Sequence, residues 1–428
     1  MTGTAYRACG LTRRGVAVAL AVLFASPAWA ADEPATTPLA GTTPAQWRLI
    51  WTEDPQSRAT ISWSTAEAGR SHRVHYDTRS HKDNLAAYRF RADSNANGRY
   101  TAAANEALSL HYHHAELTGL KPATTYYFRI VSDEAASREF HFITAPDADV
   151  PVKVIYGADS RTGHSTRRRM NRLIATLAGR DKTVLAFVHG GDYVWRVWTR
   201  GGLSRFSRWM SDHELTVTAD GRMLPIIPIR GDHELSGPQV GQVFGWPGGG
   251  RFYWHVRLTP QVLLVALNTN GPISTDANQV RFLDRTLRAN AKMRWKLAAY
   301  HKPAYPGVKD RPSPARKLWV PLFEKYGLAM VCEADGHLIK RTVPIQGDKP
   351  AADGVVYIGE GGLGAPLRTP NTDRWYMKPP AKCGRAYHIQ VLSFGKTALK
   401  YEVLLSDGSV FDTYEIKARP QAGGKSSP

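Results

Sequence analysis

Apolar residues change their spacing near residue 150. Between residues 45 and 146 they alternate with polar ones over short runs: Arg58-Ala59-Thr60-Ile61-Ser62-Trp63-Ser64, His72-Arg73-Val74-His75-Tyr76 and Thr125-Tyr126-Tyr127-Phe128-Arg129-Ile130. Period-two runs broken by turn residues predict short antiparallel strands in a β-sandwich. Beyond Pro151 the apolar runs become continuous, at 152–156, 184–188, 224–229, 296–300 and 328–332. Helical spacing lies between them, at 165–180 (Met170, Leu173, Ile174, Leu177), at 278–289 (Val280, Leu283, Leu287) and at 314–326, where Gly327 supplies a stop. Strands alternating with helices predict βαβ units, and hence an α/β domain. Alternation returns at 387–393, 398–405 and 410–416, a late antiparallel meander with a turn at Ser406-Asp407-Gly408.

The chain's 428 residues exceed what one core usually supports, so two domains are expected. The predicted divisions are a linker at 31–44, a sandwich at 45–146, a catalytic domain at 147–417 and a flexible tail at 418–428. Residues 1–30 have the form of a secretory signal. Arg7, Arg13 and Arg14 precede a short apolar stretch, and Ala28 and Ala30 stand where a signal peptidase reads small side chains. Arg13 and Arg14 match a twin-arginine signal only weakly. No stretch is long enough to span a bilayer, so the expected location is periplasmic or secreted. The formal charge of +19 becomes +16 once the three arginines of the signal are set aside. That excess favours anionic partners such as phosphate esters, without requiring nucleic acid. Cys332 and Cys383 remain in the mature chain, and the sequence leaves their pairing open, as it does the oligomeric state.

Chemistry gathers at the strand ends. The five apolar runs lead to Asp159, to His189-Gly190-Gly191-Asp192, to Gly231-Asp232-His233-Glu234, to His301 and to Asp335-Gly336-His337. Ligands of open α/β sheets collect beyond the carboxyl ends of the strands. Asp and His delivered to one rim suit a metal centre. Two ions about 3.5–4 Å apart can clamp an in-line phosphoryl displacement. A carboxylate on a tight Gly-Gly-Asp turn can bridge them.

In this order the motifs resemble those of the calcineurin-like metallophosphoesterases. The preceding sandwich, with Leu117-Thr118-Gly119-Leu120-Lys121-Pro122 before its Tyr-Tyr strand, resembles a fibronectin type III domain. With the segment Gly336-His337-Leu338-Ile339-Lys340-Arg341-Thr342 it points to the purple acid phosphatase branch. The resemblance covers most of residues 45–417. It implies a four-layer α/β/β/α catalytic sandwich after an all-β fibronectin III-like sandwich. It also implies an exported phosphomonoesterase with two ions of iron, manganese or zinc. In that reading Asp159 and His337 hold the first metal, Asp192 bridges, and Asp232, His301 and Asp335 hold the second. His233 acts on the leaving oxygen, His164 meets substrate, and Arg161 either holds substrate phosphate or takes the place of a metal. Three positions depart from the family pattern: Trp195 replaces a metal-binding Tyr, Asp335 a His, and Asp232 an Asn. Indole cannot ligate a metal, so the purple colour of that branch is not expected. A phosphodiesterase on the same fold, and a polyanion-binding surface protein with a decayed site, are the alternatives. The arginines at 167, 168, 169 and 172 are expected on a solvated helix face, and Glu234 as a structural partner of its loop.

Overall fold

A computed structural model describes residues 36–103, 106–234, 238–246, 251–311 and 313–419. The signal segment and most of the tail lie outside the described residues. The chain from Thr36 onward forms one compact unit.

Among the described residues, two large sheets organise the fold. The first has ten strands, in the order Val410–Lys417, Ala398–Leu405, His388–Phe394, Val152–Gly157, Val184–His189, Ile226–Pro228, Ala45–Ile50, Ala59–Thr65, His111–Leu117 and Ala96–Arg99. The second has seven: Trp254–Thr259, Val262–Ala266, Trp295–Ala299, Met330–Glu333, Val356–Gly359, Ile339–Arg341 and Lys382–Gly384. Alternation along one strand shows how they stack. Val262, Leu264 and Ala266 share a core with Val154, Tyr156 and Leu392 of the first sheet. Leu263 and Val265 instead meet Leu283, Leu287, Trp319 and Phe323 from the helices behind. On the outer face of the first sheet lie Met170 and Ile174 of the helix His164–Arg180, with Phe206 and Met210 of Gly202–His213. The layers are therefore helix, sheet, sheet, helix.

The N-terminal strands close into a sandwich with a smaller sheet built on His72–Asp77 and Thr125–Ser132. They are also stitched to the rest. Ile50 pairs in parallel with Ile226, and Trp51 N–H donates to Ile226 O at 3.1 Å. That pairing makes the ten-stranded sheet continuous from the sandwich to the late meander.

Three local differences from the sequence reading have clear causes. The strand expected over 224–229 is only Ile226–Pro228, because Pro225 and Pro228 remove ladder donors. The helix expected over 314–326 divides into Ala315–Leu318 and Val320–Lys325, with Pro321 at the start of the second. The helix Gly202–His213 was not anticipated, although Leu203, Phe206 and Met210 fall on one helical stripe and are buried. Cys332 and Cys383 are both free thiols, the first buried in its strand.

Candidate metal centre

Four of the site residues stand on an unusual backbone. Asp159, Asp192, Asp335 and His337 all have positive φ, at 59°, 57°, 70° and 57°. Non-glycine residues seldom adopt this conformation, and it gathers at functional sites. Gly191 permits the bridging turn: a Cβ there would come within 2.4 Å of Gly231 N, so the two loops can touch only through glycine. Gly361 does the same for Asp159, whose Oδ2 would lie 2.0 Å from an added Cβ.

These turns bring together two groups of donors that share Asp192. Asp159, Asp192 and His337 form one, and Asp192, Asp232 and His301 the other; within each, one atom per residue lies within 4.8 Å of the rest. His301 Nε2 is 3.2 Å from Asp192 Oδ1 and 3.6 Å from Asp232 Oδ1. His337 Nε2 is 3.3 Å from Asp159 Oδ1. The other ring nitrogens are committed, His301 Nδ1 donating to Gly190 O and His337 Nδ1 to Pro366 O, each at 2.9 Å. Both imidazoles therefore turn their Nε2 lone pairs inward, the tautomer and orientation a metal ligand needs.

Buried atoms left without hydrogen-bond partners mark the same spot. They are Asp159 Oδ1, Asp192 Oδ2, Asp232 Oδ1 and His301 Nε2. Buried polar atoms are rarely left unmatched, and here four face one another. The charges agree. Burial opposes a charged ring at His301, yet Asp192, Asp232, Asp159 and Asp335 together raise its pKa well above the usual value. Burial raises the pKa of Asp192 well above the carboxylate range, and Glu234 and Asp159 add to this against the pull of His301. Carboxylates that draw a buried ring toward its charged form mark a place for a cation, and the Asp and His donor set fits hard or borderline metals.

The remaining predicted residues divide. Asp335 Oδ1 is 4.0 Å from His301 Nε2 but only 2.5 Å from Lys309 Nζ, which neutralises it. His233 lies at the rim, its Nε2 3.6 Å from Asp192 Oδ2 and its ring tilted against Trp195 with centres 4.2 Å apart. Burial holds its pKa down, to about 4. Arg161 is inside, with Nε 3.3 Å from Asp192 Oδ2. His164 is not brought into the group: Arg167 Nη2 meets its Nδ1 at 2.8 Å and Arg208 Nη1 its Nε2 at 3.4 Å. Arg167 itself corrects the expectation of a solvated helix face. It is buried, ion-paired with Asp212, and donates to Ser160 O at 2.9 Å, so it anchors the loop behind Asp159.

Supporting residues hold these loops in place, and of them the sequence reading gives a structural role only to Glu234. Glu234 Oε2 accepts from the amides of Asp192 and Gly231, each at 3.0 Å, which locks the two loops together as its expected structural role requires. Lys340 is fully buried between Glu333 and Glu360, under the loop of Asp335 and His337. Lys302 reaches Asp232 Oδ2 at 3.3 Å. Lys309 and Lys302 sit in loops without periodicity, where no pattern flags them.

Residues 44–144 match the family described as purple acid phosphatase, N-terminal domain. The purple acid phosphatase PPD1 of yellow lupin (Lupinus luteus) seeds superposes with a TM-score of 0.72 at 15% identity, over 88% of this chain and 74% of that one. The fold is that of a calcineurin-like metallophosphoesterase. PhoD shares this metallophosphoesterase fold with a TM-score of 0.61 at 13% identity, over 91% and 95% of the two chains. In sequence, the uncharacterised protein Rv2577 of Mycobacterium tuberculosis (strain ATCC 25618 / H37Rv) is 23% identical over 275 residues, which is 55% of this chain and 51% of that protein. The chain thus spans about half the length of that relative. No helix among the described residues of this metallophosphoesterase fold is long and apolar enough to cross a membrane.

Proposed function

We propose that the protein is an exported, metal-dependent phosphoric ester hydrolase acting chiefly on monoesters. The observation that supports this most is Asp192, which both groups of donors share. Asp192, Asp232 and His301 are the residues that would hold a metal ion. A bound ion polarises phosphoryl oxygens and lowers the pKa of the attacking water. The side chains do the rest. Arg161, fixed beside Asp192, offers guanidinium donors to the phosphoryl group. His233 is neutral at pH 7, with its pKa near 4, so it serves by hydrogen bonding to the leaving oxygen. Arg368, which donates to the Asp335 carbonyl, adds positive charge beside the pocket and draws in an anionic ester. The signal-like residues 1–30 support export.

Mono- and bis-p-nitrophenyl phosphate, assayed at equal metal loading, test the reading. The monoester should turn over faster. In Asp192→Ala both activities should fall at least about a thousandfold, the scale of losing a main electrostatic stabiliser. Full activity in that variant would sink the proposal, and a faster diester would move it to phosphodiesterase.

A further inference from the structure

The two oxygens of Asp192 face unlike surroundings. On the Oδ1 side, His301 Nε2 and Asp232 Oδ1 have no hydrogen-bond partner, and among the described residues no lysine or arginine pairs with either atom. Lys302 reaches Asp232 from the outside, at the other oxygen. On the Oδ2 side Asp159 Oδ1, Asp192 Oδ2 and Arg161 Nε likewise lack hydrogen-bond partners, but there a side-chain cation already stands among the donors. Arg161 Nε lies 3.3 Å from Asp192 Oδ2, and Arg161 Nη2 donates to His337 Nε2 at 3.4 Å. That nitrogen is the lone pair a metal would take, since His337 Nδ1 is bound to Pro366 O. Arg161 is only 8% exposed and is braced from behind, its Cζ 4.6 Å from the centre of the Trp195 ring. Neither Arg161 nor Trp195 can give a lone pair to a metal. Three donors therefore remain on this side, and a guanidinium contacts two of them.

We propose that the Arg161 guanidinium fills the cation position among Asp159, Asp192 and His337, so that the protein binds one divalent metal ion, at Asp192, Asp232 and His301, rather than two. This rests on the metal-dependent reading above. Charge supports it. Lys309 pairs with Asp335 and Lys302 with Asp232, which leaves Asp159 and Asp192 as the carboxylates to balance. One guanidinium and one divalent ion already more than balance them. A second divalent ion would leave positive charge buried without a counterion, beside a guanidinium that cannot lose its proton. In this arrangement Arg161 takes over from a second ion the task of binding the phosphoryl oxygens, with a planar fork of donors suited to it.

Metal stoichiometry decides the matter without an activity assay. The full-length protein, stripped and reloaded with Mn²⁺, should bind one ion per chain by elemental analysis and titration calorimetry. It should show the six-line paramagnetic resonance spectrum of an isolated Mn²⁺. Arg161→Ala removes the resident cation, and Arg161→His adds a ligand in its place. Both should bind twice as much metal, with the exchange-coupled spectrum of a pair. Two ions in the unmodified protein would overturn the one-ion proposal and leave the hydrolase reading standing. So would a single ion in both variants when their circular dichroism matches the parent. No ion at all in the unmodified protein would sink the metal-dependent function, and this proposal with it.

Discussion

Two pairs of buried histidines in this chain show opposite chemistry. In the sandwich, His72 and His113 stack with ring centres 3.6 Å apart. Both nitrogens of each are matched: His72 with Ser132 Oγ and Ala68 O, His113 with Asn97 Oδ1 and Thr65 Oγ1, all within 2.9 Å. Burial, helped by His72, lowers the pKa of His113 to about 3, so the ring stays neutral and needs nothing further. In the candidate centre, His301 and His337 each satisfy one nitrogen with a backbone carbonyl and turn the other to carboxylates. Burial alone therefore says little about a histidine. What separates the pairs is whether the second nitrogen faces a neutral partner or a set of anions with room for a cation.

Breaking this contrast should have graded effects. His301→Ala deletes an inward lone pair and should weaken metal binding by more than about a hundredfold, beyond the loss usual for an outer-shell change. His113→Gln, measured by the same calorimetry, should leave the affinity unchanged. Removing metal with a chelator should lower the stability of the parent protein by about 2.7 kcal/mol when the metal had stood a hundredfold above its Kd. The melting temperature of His301→Ala should not respond. Acid should act on the sandwich pair. A histidine in the unfolded chain titrates near 6.5, and folded His113 only near 3. Between those values the unfolded chain binds the extra proton, so stability falls as the pH drops through that window. Thermal melts from pH 6.5 to 4 should show a shallower decline in His113→Gln. Smallest of all, Trp195→Ala removes the ring that braces Arg161 and His233. At about 0.5–1 kcal/mol for a cation–π contact, KM should rise about two- to fivefold with kcat little changed.

Much of this was legible because apolar spacing follows secondary structure so directly. The strands Val152–Gly157 and Val184–His189 and the helix Ala277–Ala289 lie within a residue or two of their predicted spans. Asp159, Asp192, Asp232, His301 and His337 could be picked out because each follows an apolar run; three follow strands of the first sheet and two follow strands of the second, and the stacked sheets bring those ends together. The sequence could not show how charges pair across loops. Lys309 against Asp335, and Arg167 against Asp212, join residues 26 and 45 positions apart without any periodic signal. Nor could it place His164, which the first turn of its helix aims at Arg167. The shared sheet was equally hidden, because the Pro-flanked Ile226–Pro228 is too short to advertise two parallel neighbours.

That short strand has a practical consequence for anyone trimming the molecule. With residues 36–146 removed, Ile226–Pro228 would lose its partner Ala45–Ile50 and become a raw border with unpaired amides and carbonyls. A shortened gene product should clump with its own kind, whereas the two halves expressed together can mend the seam.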